Sequence, residues 1–152
     1  IVEKAKQFEA QGDDYNSIMV KALGDRVAEA LAEWAHRHFR EIMGNFKEDL
    51  PLEDLLAEKY RGIRPAPGYP SCPDHKLKED IWKLLGGDDL IGARLTETLS
   101  MEPAGSVAGF MFYHPKANYF QLQSVAEDQI ALLASLRGLT AEEMKRWIAF
   151  QS

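Results

Sequence analysis

The sequence predicts an α+β fold. Three observations carry this: apolar residues recur at helical spacing from residue 13 to 43, the period changes to alternation over residues 93–101 followed by a run apolar on both faces over residues 106–113, and helical spacing returns after Ala126. Helices are thus expected early and late, with a small antiparallel sheet between them. At 152 residues, 45% hydrophobic and 28% charged, a single domain over residues 1–152 is expected. A chain of that size buries roughly 68–70% of the surface its unfolded form exposes.

Charge and cysteine content narrow the function classes. The 18 Lys+Arg and 24 Asp+Glu leave a formal charge of −6 with no basic stripe, which argues against a nucleic-acid partner. The single cysteine, Cys72, cannot form an intrachain disulfide, so a cytoplasmic location is expected. No apolar run approaches the ~20 residues that cross a bilayer, so no membrane association is expected. The chain opens Ile1-Val2-Glu3-Lys4, without an initiator methionine or signal peptide, and a fragment of a longer protein is the expectation.

The first helical segment spans Asp13 to Met43. Val20, Leu23, Val27, Leu31, Trp34, His38 and Ile42 project within about 100° of one another, so they are expected to face the core. Asp25, Glu29, Glu33 and His36 lie opposite, on the expected solvent face. Gly24 weakens the middle, and Gly44-Asn45 marks the end. A short helix from Leu52 to Tyr60 follows Pro51, which suits a first helical position. Residues 62–73 hold four of the seven prolines and must form a stiffened extended loop. A further helix runs from about Asp74 to Leu85, with Leu77, Ile81, Leu84 and Leu85 as its stripe.

Residues 93–101 alternate as a half-buried strand does, with Leu95, Glu97, Leu99 and Met101 on one side. Residues 106–113 are apolar on both faces and read as a central strand. The turn residues His114 to Asn118 then lead to a returning strand over residues 119–123. Two helices close the chain, Ala126 to Arg137 and Thr140 to Phe150. The second opens with a capping box, Thr140-Ala141-Glu142-Glu143.

Few chemical motifs survive inspection. His36 and His38 lie about 200° apart on one helix and cannot share a metal. Glu33-x-x-His36 has di-iron spacing but no second copy. Cys72 is either a nucleophile or a small residue in a tight loop. Gly105-Ser-Val-Ala-Gly109 precedes a strand rather than a helix, which excludes a phosphate loop. The acidic face of Asp25 and Glu29 is either solvated or a partner surface.

The proline-rich loop is the most informative segment. Prolines hold the remaining polar groups in place at low ordering cost. Arg64 offers a planar fork suited to a carboxylate, and Tyr69 a hydroxyl on a flat ring. Either the loop is a preformed pocket for a small zwitterion or nucleoside, or it is a rigid structural loop with a surface arginine.

The run Arg61-Gly62-Ile63-Arg64-Pro65-Ala66-Pro67-Gly68-Tyr69-Pro70-Ser71-Cys72-Pro73-Asp74-His75 closely resembles the signature of the S-adenosylmethionine-binding activation domain at the C-terminus of cobalamin-dependent methionine synthase. The resemblance continues through Asp13-Asp14-Tyr15-Asn16, Ile18 to Leu23, Asp25-Arg26, Leu95-Thr96-Glu97, Gly105 to Gly109, and His114-Pro115 ahead of Tyr119.

That resemblance implies a C-shaped α+β fold with a twisted antiparallel sheet and flanking helices, N-terminally truncated here. It implies that Arg64 pairs with the methionyl carboxylate of S-adenosylmethionine. Backbone groups from Ala66 through Gly68 to Tyr69 would hold the ligand. Tyr119 and Phe120 would form an aromatic pair, with Phe120 standing where a second tyrosine is expected, and Glu58 would assist. The implied function is reductive reactivation of cobalamin carried on a partner module of methionine synthase. Reduced flavodoxin or an equivalent reductase would supply the electron and S-adenosylmethionine the methyl group. Asp25 and Glu29 become candidate partner contacts. A different class, a standalone docking module for a corrinoid protein or flavodoxin with little ligand affinity, is the alternative. An independent methyltransferase is disfavoured, because no glycine-rich nucleoside loop is present.

Overall fold

The computed structural model describes residues 1–149. The chain divides into two compact units, residues 1–48 with 84–107, and residues 49–83 with the chain from 108 onward. The class is α+β, as expected. The elements in order are α1 (Val2–Ala10), α2 (Asp14–Gly44), α3 (Leu52–Leu56), α4 (Leu77–Leu84), α5 (Asp88–Ile91), β1 (Arg94–Leu95), β2 (Met101–Glu102), α6 (Glu127–Arg137) and α7 (Ala141–Lys145).

In the first unit α1 packs on α2. Asp13 caps α2 by accepting from the Asn16 amide at 3.0 Å, and Asn45 closes it in the left-handed region at φ 51°. Gly24 does not interrupt the helix. It lies where Ile1 packs, and a Cβ there would come within 2.5 Å of Ile1 Cδ1.

The expected core face of α2 is exposed. Leu23, Val27, Leu31, Trp34 and Ile42 all face solvent, whereas Ser17, Gly24, His36 and Arg40 are buried. The buried side is organised around an ion pair. After Asn45 the chain folds back, and Glu48, itself buried, takes the Arg40 guanidinium with contacts of 2.7 Å and 2.5 Å. Arg37 donates to the Glu48 carbonyl, and Glu41 accepts from the Glu48 amide at 3.0 Å. The Glu33–His36 side of the helix therefore turns inward around Arg40, while Asp25 and Glu29 remain exposed.

The 93–101 strand is a correction. Residues 94–95 and 101–102 form a two-stranded antiparallel hairpin, with Leu99 reversing the chain at φ 58°. Thr96 holds the turn: its amide donates to the Ser100 carbonyl at 2.9 Å, and its hydroxyl accepts from the Ser100 amide at 3.1 Å. Local hydroxyl-to-backbone bonds thus override the alternating pattern.

Residues 106–113 and 119–123 are not strands either. Apart from the Phe112 bridge to Ile63 they carry no regular structure, and Met111, Phe112 and Phe120 are exposed. Helix α3 stops at Leu56 rather than Tyr60, with Pro51 as its N-cap rather than its first residue. On α4, Leu84 and Leu85 are exposed, and Ile81 and Trp82 supply the buried face. The capping box of α7 is present, with Thr140 accepting from the Glu143 amide at 3.2 Å. The expected helix to Phe150 is shorter: α7 ends at Lys145, residues 146–149 form a turn and a bridge from Ile148 to Asp74, and Phe150 lies outside the described residues. The core of the second unit is Val125, Ile130, Ala134, Met144 and Ile148, gathered mainly from α6, α7 and the turn after it. Full burial contributes about 1.5–3 kcal/mol for each larger member.

Candidate functional site

The proline-rich loop lies in the second unit and is fixed from three sides. First, residues 63–65 pair antiparallel with residues 110–112. Ile63 and Phe112 exchange amide–carbonyl bonds at 3.0 and 2.9 Å, and the Phe110 amide donates to the Pro65 carbonyl at 2.9 Å. The two backbones approach so closely that a Cβ at Gly62 would stand 2.2 Å from the Phe112 carbonyl oxygen. One at Gly109 would stand 2.8 Å from that of Pro65. The apolar run 106–113 therefore finds its partner in the loop rather than in a sheet.

Second, the loop tip closes on itself. The Gly68 amide donates to the Cys72 carbonyl at 2.8 Å, and the Cys72 amide to the Tyr69 carbonyl at 2.8 Å. Third, residues 73–75 are anchored from behind. The His75 amide donates to the Trp147 carbonyl, and the Ala149 amide to the Pro73 carbonyl, each at 2.9 Å. Buried Asp74 accepts from Arg137 Nε at 3.1 Å and Nη2 at 2.8 Å, and from the Lys76 amide at 2.8 Å.

Within this frame several expected residues come together. The Arg64 amide donates to the Tyr119 hydroxyl at 2.8 Å, and Arg64 Nη1 donates to the Tyr60 hydroxyl at 2.8 Å. Among the described residues the Ala66 amide and the Pro67 and Gly68 carbonyls have no hydrogen-bond partner. The prolines at 65, 67 and 70 contribute no donor. Tyr69 is 63% exposed and Phe120 52%. Glu58 is exposed and stands just past α3 at φ 52°.

Two neighbours escaped the sequence reading. Tyr60 holds the arginine fork across a non-helical stretch, so no local spacing rule announced it. His75 packs its ring on Gly68, which nothing in the local sequence announces. Burial, and secondarily Lys78, lower the pKa of His75. Burial, with Asp74 behind it, pushes the Cys72 thiol up, so it stays protonated and is a poor nucleophile.

The arrangement defines a class: an α+β module with a prefixed, proline-stiffened loop, and among the described residues no cluster of three or more metal-ligating side chains. No helix of the described residues is long and apolar enough to cross a membrane. Comparison narrows the class. A family model described as vitamin B12 dependent methionine synthase, activation domain, matches residues 1–138, and the chain belongs to that family. It is also similar to a crystal structure of the MetH reactivation domain bound to AdoHcy. The identity is 46% and the TM-score 0.87, over 94% of this chain and 45% of that one. The chain thus spans less than half the length of this relative.

Proposed function

We propose that this chain binds S-adenosylmethionine at the Arg64–Tyr69 loop and serves the reductive reactivation of cobalamin held on a partner module of methionine synthase. The observation that carries the reading is the fixing of Arg64 from two sides, by Tyr119 at its amide and Tyr60 at its guanidinium. Similarity to a reactivation domain that holds AdoHcy, the demethylated form of the same molecule, supports it.

The residues have distinct parts. Arg64, oriented by Tyr60, presents a charge-assisted donor fork to the ligand carboxylate. The Ala66 amide and the Pro67 and Gly68 carbonyls offer one donor and two acceptors, at no ordering cost, to the ammonium and adenine groups. Tyr69 and Phe120 supply flat faces for the purine and the sulfonium, a soft cation that aromatic rings attract. Glu58 is a further carboxylate toward the ammonium. S-adenosylmethionine supplies an electrophilic methyl group, and the partner-held cobalamin accepts it. Asp25 and Glu29, exposed on α2, are offered to that module or to reduced flavodoxin or an equivalent reductase, in the cytoplasm.

Calorimetric titration of the 152-residue chain with S-adenosylmethionine tests this. Saturable 1:1 binding that is lost in Arg64→Ala is expected. No binding by the native chain overturns the reading and leaves the docking module as its successor.

A further inference from the structure

The imidazole of His75 lies directly behind the loop offered to the ligand. A Cβ on Gly68 would meet His75 Cε1, Nδ1 and Nε2 at 2.2, 2.7 and 2.8 Å, so the ring edge covers the Gly68 α-carbon. The Gly68 carbonyl is bonded to that same α-carbon, and neither it nor the Pro67 carbonyl has a hydrogen-bond partner among the described residues. His75 is held in place by its backbone: its amide donates to the Trp147 carbonyl at 2.9 Å, and its carbonyl accepts from the Lys78 amide at 3.2 Å. Burial, and then Lys78, favour the neutral ring, with Asp74 opposing. Other titratable groups around it are committed elsewhere. Arg137 of α6 binds Asp74 at 2.8 Å, Lys76 binds Glu79 at 2.9 Å over the Trp147 ring, and the Cys72 thiol stays protonated.

We propose that neutral His75 is a positioning residue for the ligand: its ring seats Gly68 so that the Pro67 and Gly68 carbonyls stay free for the cationic end of S-adenosylmethionine. A proton on the ring works against this in two ways. The imidazolium gains a second donor, and the two carbonyls without partners lie on and next to the α-carbon it covers. It also puts a positive charge behind a loop that receives a sulfonium and an ammonium, and like charges repel more strongly where burial excludes water. Ligand binding and protonation of His75 therefore oppose each other, and by linkage the bound ligand holds the ring more firmly neutral. A histidine that merely filled space behind Gly68 would support the loop equally in either charge state. The proposal rests on the ligand reading above and adds to it the charge state in which the loop binds.

The test is calorimetric titration of the 152-residue chain with S-adenosylmethionine from about pH 7.5 to about pH 5.5, beside His75→Gln and Lys78→Met. In the native chain Kd should rise about threefold or more over that range, against less than about 1.5-fold in His75→Gln. The ligand's own amino group titrates alike with both proteins, so the difference isolates the ring. Near the lower end, binding to the native chain should release protons, seen as a heat that depends on the buffer's ionisation enthalpy, and His75→Gln should lack that dependence. Lys78→Met removes a cation that favours the neutral ring, so its rise in Kd should begin at higher pH. If His75→Gln does not fold, NMR titration of the native His75 ring decides: saturating ligand should lower its pKa. Equal pH profiles in the native chain and His75→Gln, an unmoved profile in Lys78→Met, or a His75 pKa that ligand leaves unchanged or raises overturns the proposal and leaves the ligand site standing. Absence of binding by the native chain at about pH 7.5 overturns the ligand reading itself, and this proposal with it.

Discussion

The Tyr119 hydroxyl meets the Arg64 amide at 2.8 Å across 55 residues of sequence. Arg64 is thereby positioned at its backbone by one tyrosine, while Tyr60 positions its guanidinium at 2.8 Å. A residue held at both its backbone and its guanidinium loses little further entropy if it meets a ligand, which is what the proposed role of the loop requires.

Removing the fork costs the most. Arg64→Ala is expected to weaken S-adenosylmethionine binding by about 1.5–3 kcal/mol, the range of a hydrogen bond to a charged group, as read by calorimetry. Melting should stay two-state and little changed, since the loop frame does not depend on the guanidinium.

The two tyrosines should separate. Tyr60→Phe removes only the orienting bond and is expected to cost about 0.5–1.5 kcal/mol of ligand affinity. Tyr119→Phe leaves the Arg64 amide without its acceptor and should lower both affinity and chain stability by a similar amount. Equal stability of Tyr119→Phe and the native chain in urea would remove Tyr119 from the frame.

Gly68 is fixed by its neighbour. At φ 99° it adopts a conformation that favours glycine, and a Cβ there would stand 2.2 Å from His75 Cε1. Gly68→Ala is expected to destabilise by about 1–3 kcal/mol in urea titrations. His75→Ala in the same chain should recover only the steric share and leave the backbone strain.

His75 also predicts a pH dependence. Burial, with Lys78 adding and Asp74 opposing, holds its pKa below the ordinary 6.5. A group depressed on folding keeps its full contribution above the unfolded pKa and loses it as pH falls through the folded value. Tm should therefore decline below about pH 6.5, and His75→Gln should flatten that decline. An identical profile in the variant would show that other groups govern it.

In the first unit, Arg40→Met strands the buried Glu48 carboxylate. Removing one partner of such a pair costs about 3–5 kcal/mol, measurable as a lower urea midpoint. Arg94→Ala, which removes an exposed cross-strand pair with Glu102, should cost no more than about 1 kcal/mol.

What the sequence by itself determined was whatever adjacent residues decide. The stop at Asn45, the cap at Thr140, the start and end of α6 and the stiffness of the 62–73 loop all follow from local backbone chemistry. The fifteen-residue loop signature also identified the family. The tertiary structure alone decided which faces are covered. Periodicity shows that one side of α2 is apolar, but not that Arg40 and Glu48, joined by a chain reversal, would bury the other side. Alternation over residues 93–101 and the apolar run at 106–113 suggested strands. A strand, however, needs a partner at the right distance, and Thr96 turned the first segment back on itself while the proline loop took the second. The candidate site followed the same division: Arg64, Ala66, Gly68 and Tyr69 lie in one stretch of sequence. Their contacts with Tyr119 and His75 depend on chain closure between segments that local sequence does not encode.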